Sequence, residues 1–302
     1  MAKDFAALWK GKDALSIEDR LNDLHSFTAG NTTIKSAFDM ALYDIAAKNV
    51  GQPLYQFLGG TKKEMLTDIT VGIGTPETMA TQAKAFVDNG ATILKIKLGK
   101  NTTDDVLRIK TIRAAVGQTC KIRIDANQGW SFEDAKKALV QLGEFDIEFC
   151  EQPMQVYNDD KLPELMQVSP IKIMADESVY NHHDTLRLIK NNACHYINIK
   201  FAKSGGIHEA LKIIEVAKQY NIPCMMGGML ESRVALTAFA HFAAANPHII
   251  FYDMDTCMLG HKVDPVIGGV IYNGYKVMLP DGIGISAGVE EDFLNQYVQT
   301  SI

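Results

Sequence analysis

From Thr67 onward, short apolar runs alternate with amphipathic stretches of helical length. The runs fall at about 67–72, 92–97, 121–125, 147–150, 171–175, 196–200, 222–226 and 249–252. Helices are expected between them, at about 76–89, 103–116, 131–142, 159–167, 182–191, 205–220 and 231–245. Eight strands with seven intervening helices predict an α/β fold, a TIM-type (β/α)7β barrel rather than an open sheet. Residues 1–65 read differently. Ser16-Ile17-Glu18-Asp19 carries the Ser-x-x-Asp cue of a helix start. A second helix is expected from Thr33 to Asn49, with Ile34, Phe38, Ala41, Leu42, Ile45 and Ala46 at helical spacing. Leu58-Gly59-Gly60 closes that segment, which offers no convincing strand. After Asp255 the alternation stops, and Gly268-Gly269, Gly274, Pro280-Asp281-Gly282 and Gly284 mark turns before a final helix near 289–298. The expected organisation is a helical cap segment (1–65), the barrel (66–255) and a tail (256–302) that packs back on the cap.

The ends of the apolar runs carry the chemistry. Asp125, Glu151 and Asp176 end three consecutive runs at intervals of 26 and 25 residues, and Lys95, Lys97 and Lys200 end two others. In a parallel barrel these positions converge at the C-terminal mouth, where active sites form. Three carboxylates make an all-oxygen site suited to Mg²⁺, with Mn²⁺ as a substitute. Pairing with nearby lysines would account for one such acid, but three at this spacing favour a metal. Lys95 and Lys97 share strand parity and leave the inner face, since Leu94, Ile96 and Leu98 occupy the other. A buried ammonium needs an anion nearby, and a second ammonium would lower its neighbour's pKa toward that of a usable base. Lys200 lies four strands further round and is expected to face Lys97 across the pore. A divalent cation between opposed lysines suits proton abstraction beside a carboxylate, an enediolate, and return of the proton from the other face. A Schiff-base lysine is an alternative that needs neither three acids nor a paired lysine.

Composition narrows the field further. With 302 residues, 47% of them hydrophobic, the chain can bury one large core or two modest ones, and a barrel of about 250 residues would take most of the length. A formal charge of -6 and a pI near 5.8 argue against a nucleic-acid partner. No apolar run approaches the roughly 20 residues of a membrane span, and no signal-peptide core opens the chain, so a cytoplasmic location is expected. Five cysteines (Cys120, Cys150, Cys194, Cys224 and Cys257) form no Cys-x-x-Cys pair and read as reduced, mostly buried thiols. His182-His183 reads as a solvated pair at a helix start, not a metal site.

Several motifs together resemble the enolase superfamily. They are Lys95-x-Lys97, Asp125-Ala126-Asn127-Gln128-Gly129-Trp130, Glu151-Gln152-Pro153, Asp176-Glu177-Ser178 and Lys200-Phe201-Ala202-Lys203-Ser204-Gly205-Gly206. The likeness spans about 66–302 and is closest to the muconate-lactonizing subgroup, which carries a lysine on each side. It implies an isomerase with Asp125, Glu151 and Asp176 as magnesium ligands, Lys97 and Lys200 as the acid/base pair, and Lys95 holding the substrate carboxylate. Asp253-Met254-Asp255 follows the last apolar run and would otherwise read as a solvated loop. In the dipeptide epimerase branch an Asp-x-Asp at this spacing from the second lysine holds the substrate's free ammonium. The same likeness implies that Thr70, Gly228 and Leu230 line the dipeptide backbone pocket. The implied reaction is epimerisation of L-Ala-Xaa, with L-Ala-D/L-Glu among the substrates, the second residue left open and a homo-oligomer allowed. An o-succinylbenzoate synthase or N-acylamino acid racemase of the same subgroup is the alternative. Family members usually begin with antiparallel strands and a mobile loop that covers the mouth, whereas residues 1–65 resemble only the later helices of that cap. An incomplete cap would admit water and weaken catalysis, which makes a catalytically weak dipeptide-binding barrel a further alternative.

Overall fold

The computed structural model of the protein describes residues 1–297. Eight parallel strands follow one another in chain order in one sheet. They are β1 (Ile69–Val71), β2 (Ile93–Lys97), β3 (Lys121–Asp125), β4 (Ile147–Glu151), β5 (Ile173–Ala175), β6 (Tyr196–Ile199), β7 (Cys224–Gly227) and β8 (Ile249–Asp253). Between β8 and β1 the sheet is nearly closed. The Asp68 N–H donates to Tyr252 O at 3.2 Å, and the Met254 N–H donates to Thr67 Oγ1 at 2.8 Å. The apolar parity of each strand faces outward, so Ile96, Ile124, Cys150, Ile197 and Met226 pack under the surrounding helices in the main core. The inner parity holds a small second cluster of Phe149, Met174, Met225 and Phe251, with Tyr196 against it. The Arg123 guanidinium lies over the Phe149 and Phe251 rings at 5.3 and 5.0 Å and pairs with Asp68 at 2.8 Å and Glu148 at 2.7 Å. This plug fills the barrel below the mouth and leaves the polar chemistry at the top.

Two connections depart from the sequence reading. The helix expected over 159–167 is a 3-10 turn, Val156–Lys161, that runs into the helix Leu162–Val168. The helix expected over 205–220 is Ile207–Gln219, and an unexpected short helix, Phe201–Ser204, precedes it. Gly205 and Gly206 separate the pieces with φ of +89° and +127°, values that only glycine adopts without strain. At Gly206 a Cβ would also lie 2.2 Å from Asp39 Cγ. The run at 67–72 supplies the barrel strand Ile69–Val71, and a short strand precedes it. Met65–Leu66 leaves the barrel and pairs with Lys276–Met278 in a small antiparallel sheet completed by Ile271–Asn273.

The N-terminal helices are Ala2–Trp9, Ile17–Phe27, Thr32–Asn49 and Leu54–Phe57. The third buries only part of the face its apolar spacing implies: Leu42 and Ala46 are buried and Ile34 and Phe38 half-buried, but Ala41 and Ile45 are exposed, while Lys35, Ser36 and Asp39 are buried. The reason is polar docking. The Asp39 carboxylate accepts the Ile207 N–H at 2.6 Å and the His208 N–H at 3.1 Å, in the first turn of the helix after β6. In the tail, Leu54 N–H donates to Gly284 O at 2.8 Å and Gly284 N–H to Gln52 O at 2.9 Å. The last described helix is only Glu291–Leu294, and position 298 lies outside the described residues. No described helix is long and apolar enough to cross a membrane. All five cysteines are free thiols, four of them buried.

His241 joins three of these segments. From the helix Arg233–Ala245 its Nδ1 accepts the Tyr55 N–H at 3.1 Å, and its Nε2 lies 3.1 Å from Ile285 O. That pattern needs the neutral ring, and burial lowers its pKa to about 4. A base with a depressed folded pKa contributes its full stability above the unfolded value of about 6.5 and loses it as pH falls toward 4, a change of roughly 3 kcal/mol. Urea denaturation between pH 7 and 4 is therefore expected to show a loss of this order that is much smaller in His241→Gln. Equal losses in the two proteins would refute the assignment.

Candidate active site

The barrel topology brings the sequence-selected residues to one mouth. Thr70, Lys95, Lys97, Asp176, Lys200, Gly228, Leu230, Asp253 and Asp255 line a cleft of about 440 Å³. Asp125 and Glu151 lie fully buried at its floor. Parallel register explains the grouping: Lys97 lies opposite Asp125, and Asp125 opposite Glu151, on adjacent strands.

Lys95 sits among carboxylates rather than beside a like charge. Its Nζ lies 2.7 Å from Glu151 Oε2, 2.8 Å from Asp253 Oδ2 and 3.2 Å from Asp125 Oδ2. Burial would lower its pKa, but Asp253, Glu151 and Asp125 together raise it well above the ordinary lysine value. The expected depression by a neighbouring ammonium is thus overturned for Lys95, because three anions within contact outweigh one cation. Lys97 Nζ donates to Asp125 Oδ2 at 2.7 Å and to Asn127 Oδ1 at 3.1 Å. Lys200 Nζ donates to Asp176 Oδ2 at 2.8 Å and lies 3.9 Å from Glu151. Against burial, Asp176 and Glu151 raise its pKa.

The acids divide by environment. Burial would raise Asp176, yet Lys203 and Lys200 hold it well below the usual carboxylate range. Burial and then Asp125 push Glu151 up to about 7. Burial and then Asp253 push Asp255 up to about 6 and raise Asp68 well above its ordinary value. Six buried acids (Asp68, Asp125, Glu151, Asp176, Asp253 and Asp255) face five cations (Lys95, Lys97, Arg123, Lys200 and Lys203), so the acids outnumber their partners and some carboxyls are raised. Glu151 Oε2 and Asp176 Oδ1 are buried without a hydrogen-bond donor in good geometry, their lysine contacts being ion pairs only. The raised carboxyl of Glu151, and the oxygens of Glu151 and Asp176 that accept no hydrogen bond, are compatible with a hard divalent cation held there together with Asp125. Among the described residues, the acids whose oxygens all come within 4.8 Å of one another are Asp68, Asp253 and Asp255 rather than the three expected ligands.

Asp255 reaches across the β8–β1 seam, where its Oδ2 accepts the Thr70 N–H at 2.6 Å. Gly228 N–H donates to Asp253 O at 2.8 Å, and Leu230 projects from the rim almost fully exposed. Sequence reasoning gave no role to Asn198, Lys203 or Asp68. Asn198 Nδ2 donates to Glu151 Oε1 at 2.7 Å. The Lys203 ammonium contacts both Oδ1 and the backbone oxygen of Asp176. Strand parity would have found two of them, since Asn198 stands two residues before Lys200 and Asp68 two before Thr70. Lys203 lies on a helix, where parity says nothing. His182 Nδ1 lies 2.6 Å from Glu209, on the outside of the barrel.

This arrangement agrees with the similarity of the chain to known proteins. Residues 1–59 match the mandelate racemase / muconate lactonizing enzyme N-terminal domain, and residues 78–293 match the enolase C-terminal domain-like family. The chain belongs to the mandelate racemase and muconate lactonizing group of the enolase superfamily, and it is an isomerase of the racemase and epimerase type. It is 43% identical over 287 residues to the D-Ala-D/L-Ala epimerase of Cytophaga hutchinsonii, covering 94% of this chain and 78% of that protein. It is 41% identical over 279 residues to the L-Ala-D/L-Glu epimerase of Clostridium acetobutylicum, covering 91% and 78% of the two chains. The crystal structure of the Cytophaga hutchinsonii dipeptide epimerase, complexed with Mg and D-Ala-L-Val, superposes with a TM-score of 0.93 over 95% of this chain and 78% of that one.

Proposed function

We propose that the chain is a dipeptide epimerase that inverts the α-carbon of the C-terminal residue of L-Ala-Xaa dipeptides, L-Ala-D/L-Glu among them. One observation carries the reading: Lys97 and Lys200 stand on β2 and the end of β6, four strands apart round one cleft, beside three further acids at the β8–β1 seam. An ammonium-bearing substrate fits this charge pattern. Its amino group meets Asp253 and Asp255, with Asp68 beneath them, and its carboxylate meets Lys95. Asp125, Glu151 and Asp176 would hold Mg²⁺, which when bound supplies a Lewis acid for the substrate carboxylate and takes up the charge of its three ligands. With those carboxylates committed, burial is left as the main influence on Lys200. Burial lowers an ammonium's pKa, the direction a base at neutral pH requires. One lysine takes the α-proton and the other, already protonated, returns one to the opposite face.

N-Acylamino acid racemisation and o-succinylbenzoate synthesis use the same lysines, but their substrates lack a free ammonium and give Asp253 and Asp255 no partner. The deciding experiment incubates the protein and Mg²⁺ in D₂O with free L-Ala-Xaa dipeptides and their N-acetyl forms. Mass spectrometry is expected to find one deuterium per free dipeptide and none in the acylated series. The reverse pattern would make the chain an N-acylamino acid racemase. Binding without exchange would make it a non-catalytic dipeptide-binding barrel. In the same assay Asp255→Asn is expected to raise KM by about tenfold with a smaller change in kcat, the signature of lost binding shared by ground and transition states. An unchanged KM would remove Asp255 from the ammonium subsite.

A further inference from the structure

Asp105 lies outside the cleft, on the helix Thr102–Val116 that follows β2, and is fully buried. Its Oδ2 accepts two hydrogen bonds, from the Gly99 N–H at 3.0 Å and the Trp130 Nε1–H at 2.9 Å. Its Oδ1 accepts the Arg108 Nη1–H at 2.7 Å, while Arg108 Nε donates to Gly74 O at 2.9 Å in the loop after β1. One carboxylate therefore joins the loops that leave β1, β2 and β3.

The two loops held by Oδ2 carry the residues around one lysine. Gly99 comes two positions after Lys97. Trp130 closes the turn that begins at Asp125 and includes Asn127, and these two residues accept from Lys97 Nζ. The loops touch without side chains between them: a Cβ on Gly99 would lie 2.1 Å from Ala126 O, and one on Gly129 would lie 2.1 Å from Gly99 O. Asn127 and Gln128 hold positive φ in that turn, at 43° and 65°. A strained turn persists only where its surroundings over-determine it. Backbone bonds from Gln128 and Trp130 to Gln152 and Pro153 hold it on one side, and Asp105 ties its last residue, Trp130, to the Gly99 loop on the other. No comparable contact links Asp105 to Lys200, whose Nζ is set by Asp176.

We propose that Asp105 is a positioning residue for Lys97, acting through Gly99 and Trp130 to fix its ammonium against Asp125 and Asn127. The inference rests on the two-lysine reading above and predicts a defect on one face of the α-carbon only. In Asp105→Asn the amide must turn its NH₂ toward either Arg108 or the Gly99 and Trp130 donors, so one side of the brace is lost. Deuterium exchange is measured separately from each epimer. Exchange from the epimer served by Lys97 should fall by about 10²-fold, the scale of a misplaced reacting group. Exchange from the epimer served by Lys200 should stay within about twofold. Equal losses on both faces, or none, would overturn the proposal. Trp130→Phe removes one donor without burying a new amide and gives a smaller loss of the same asymmetry, which serves where Asp105→Asn does not fold. A second readout needs no turnover: acetic anhydride labelling mapped by mass spectrometry should increase at Lys97 and stay unchanged at Lys200 in either variant. If wild type exchanges neither epimer, the functional reading fails, and the Lys97 labelling alone decides whether the brace exists.

Discussion

Lys97→Ala and Lys200→Ala are each expected to lower epimerisation by at least about 10³-fold, the upper part of the range for removing a general acid or base. Inversion needs both groups, one to take the proton and one to give it, so the two losses should be similar. Exchange separates them. Each variant keeps a base on one face and should still wash deuterium into one epimer while failing to convert it to the other. The double variant should lose both activities. Packing supports a chemical rather than structural origin for the losses. Lys97 is partly exposed at the rim, so its truncation leaves no cavity in the core. Lys200 is buried against Asp176, but Lys203 still neutralises that carboxylate after the truncation. Melting temperatures should accordingly change little beside the rates. A Lys97→Ala protein that still interconverts both epimers would eliminate the opposed-lysine mechanism.

Glu151→Gln should abolish Mg²⁺ binding or weaken it by at least about 10²-fold, beyond the 10–100-fold typical of losing a mere supporting group. Glu151 is the middle one of the three proposed ligands, and among those three it alone has a raised pKa. The sign of its pH dependence follows. A carboxyl with a folded pKa near 7 stabilises the metal-free protein in its neutral form, fully below about 4.5, and this contribution is lost as pH rises through 7. Glutamine mimics the neutral form, so the variant should match wild type in metal-free stability at pH 5 and equal or exceed it at pH 8. Wild type at 100 times Kd of Mg²⁺ should gain about 2.7 kcal/mol, and the variant almost none. Magnesium affinity of wild type should also rise with pH across 6–8, because binding displaces a proton. Calorimetric titration at pH 6 and 8 checks both points. Unchanged affinity in Glu151→Gln would take Glu151 out of the ligand set.

The barrel was legible in the sequence because its strands are buried on one face and end in charge. Period-2 burial makes Leu94, Ile96 and Leu98 point one way and Lys95 and Lys97 the other, whatever else the chain does. Parallel pairing then stacks Lys97, Asp125 and Glu151 side by side, and so their convergence could be read from spacing alone. For the N-terminal helix Thr32–Asn49 the element was legible but its full buried face was not. Its apolar spacing selects a face that includes Ile45, while the folded helix turns Asp39 inward to meet two backbone donors at Gly206–His208. Periodicity counts apolar surface and cannot register a buried carboxylate satisfied by a distant helix start.

Electrostatics shows the same division. Sequence alone brought most of the ionisable groups of the mouth together, since strand parity and length place the residues at the strand ends. It could not establish that Lys95 has its pKa raised rather than lowered, because that depends on which oxygens lie within 3 Å of Nζ, a matter of rotamers and strand register. Nor could it reveal Lys203 or Asp105, which lie on helices where strand parity says nothing. Local pattern determines what repeats along one strand or helix. Only the folded chain decides what two unlike elements bring into contact, because desolvation and charge act through space and ignore order along the chain.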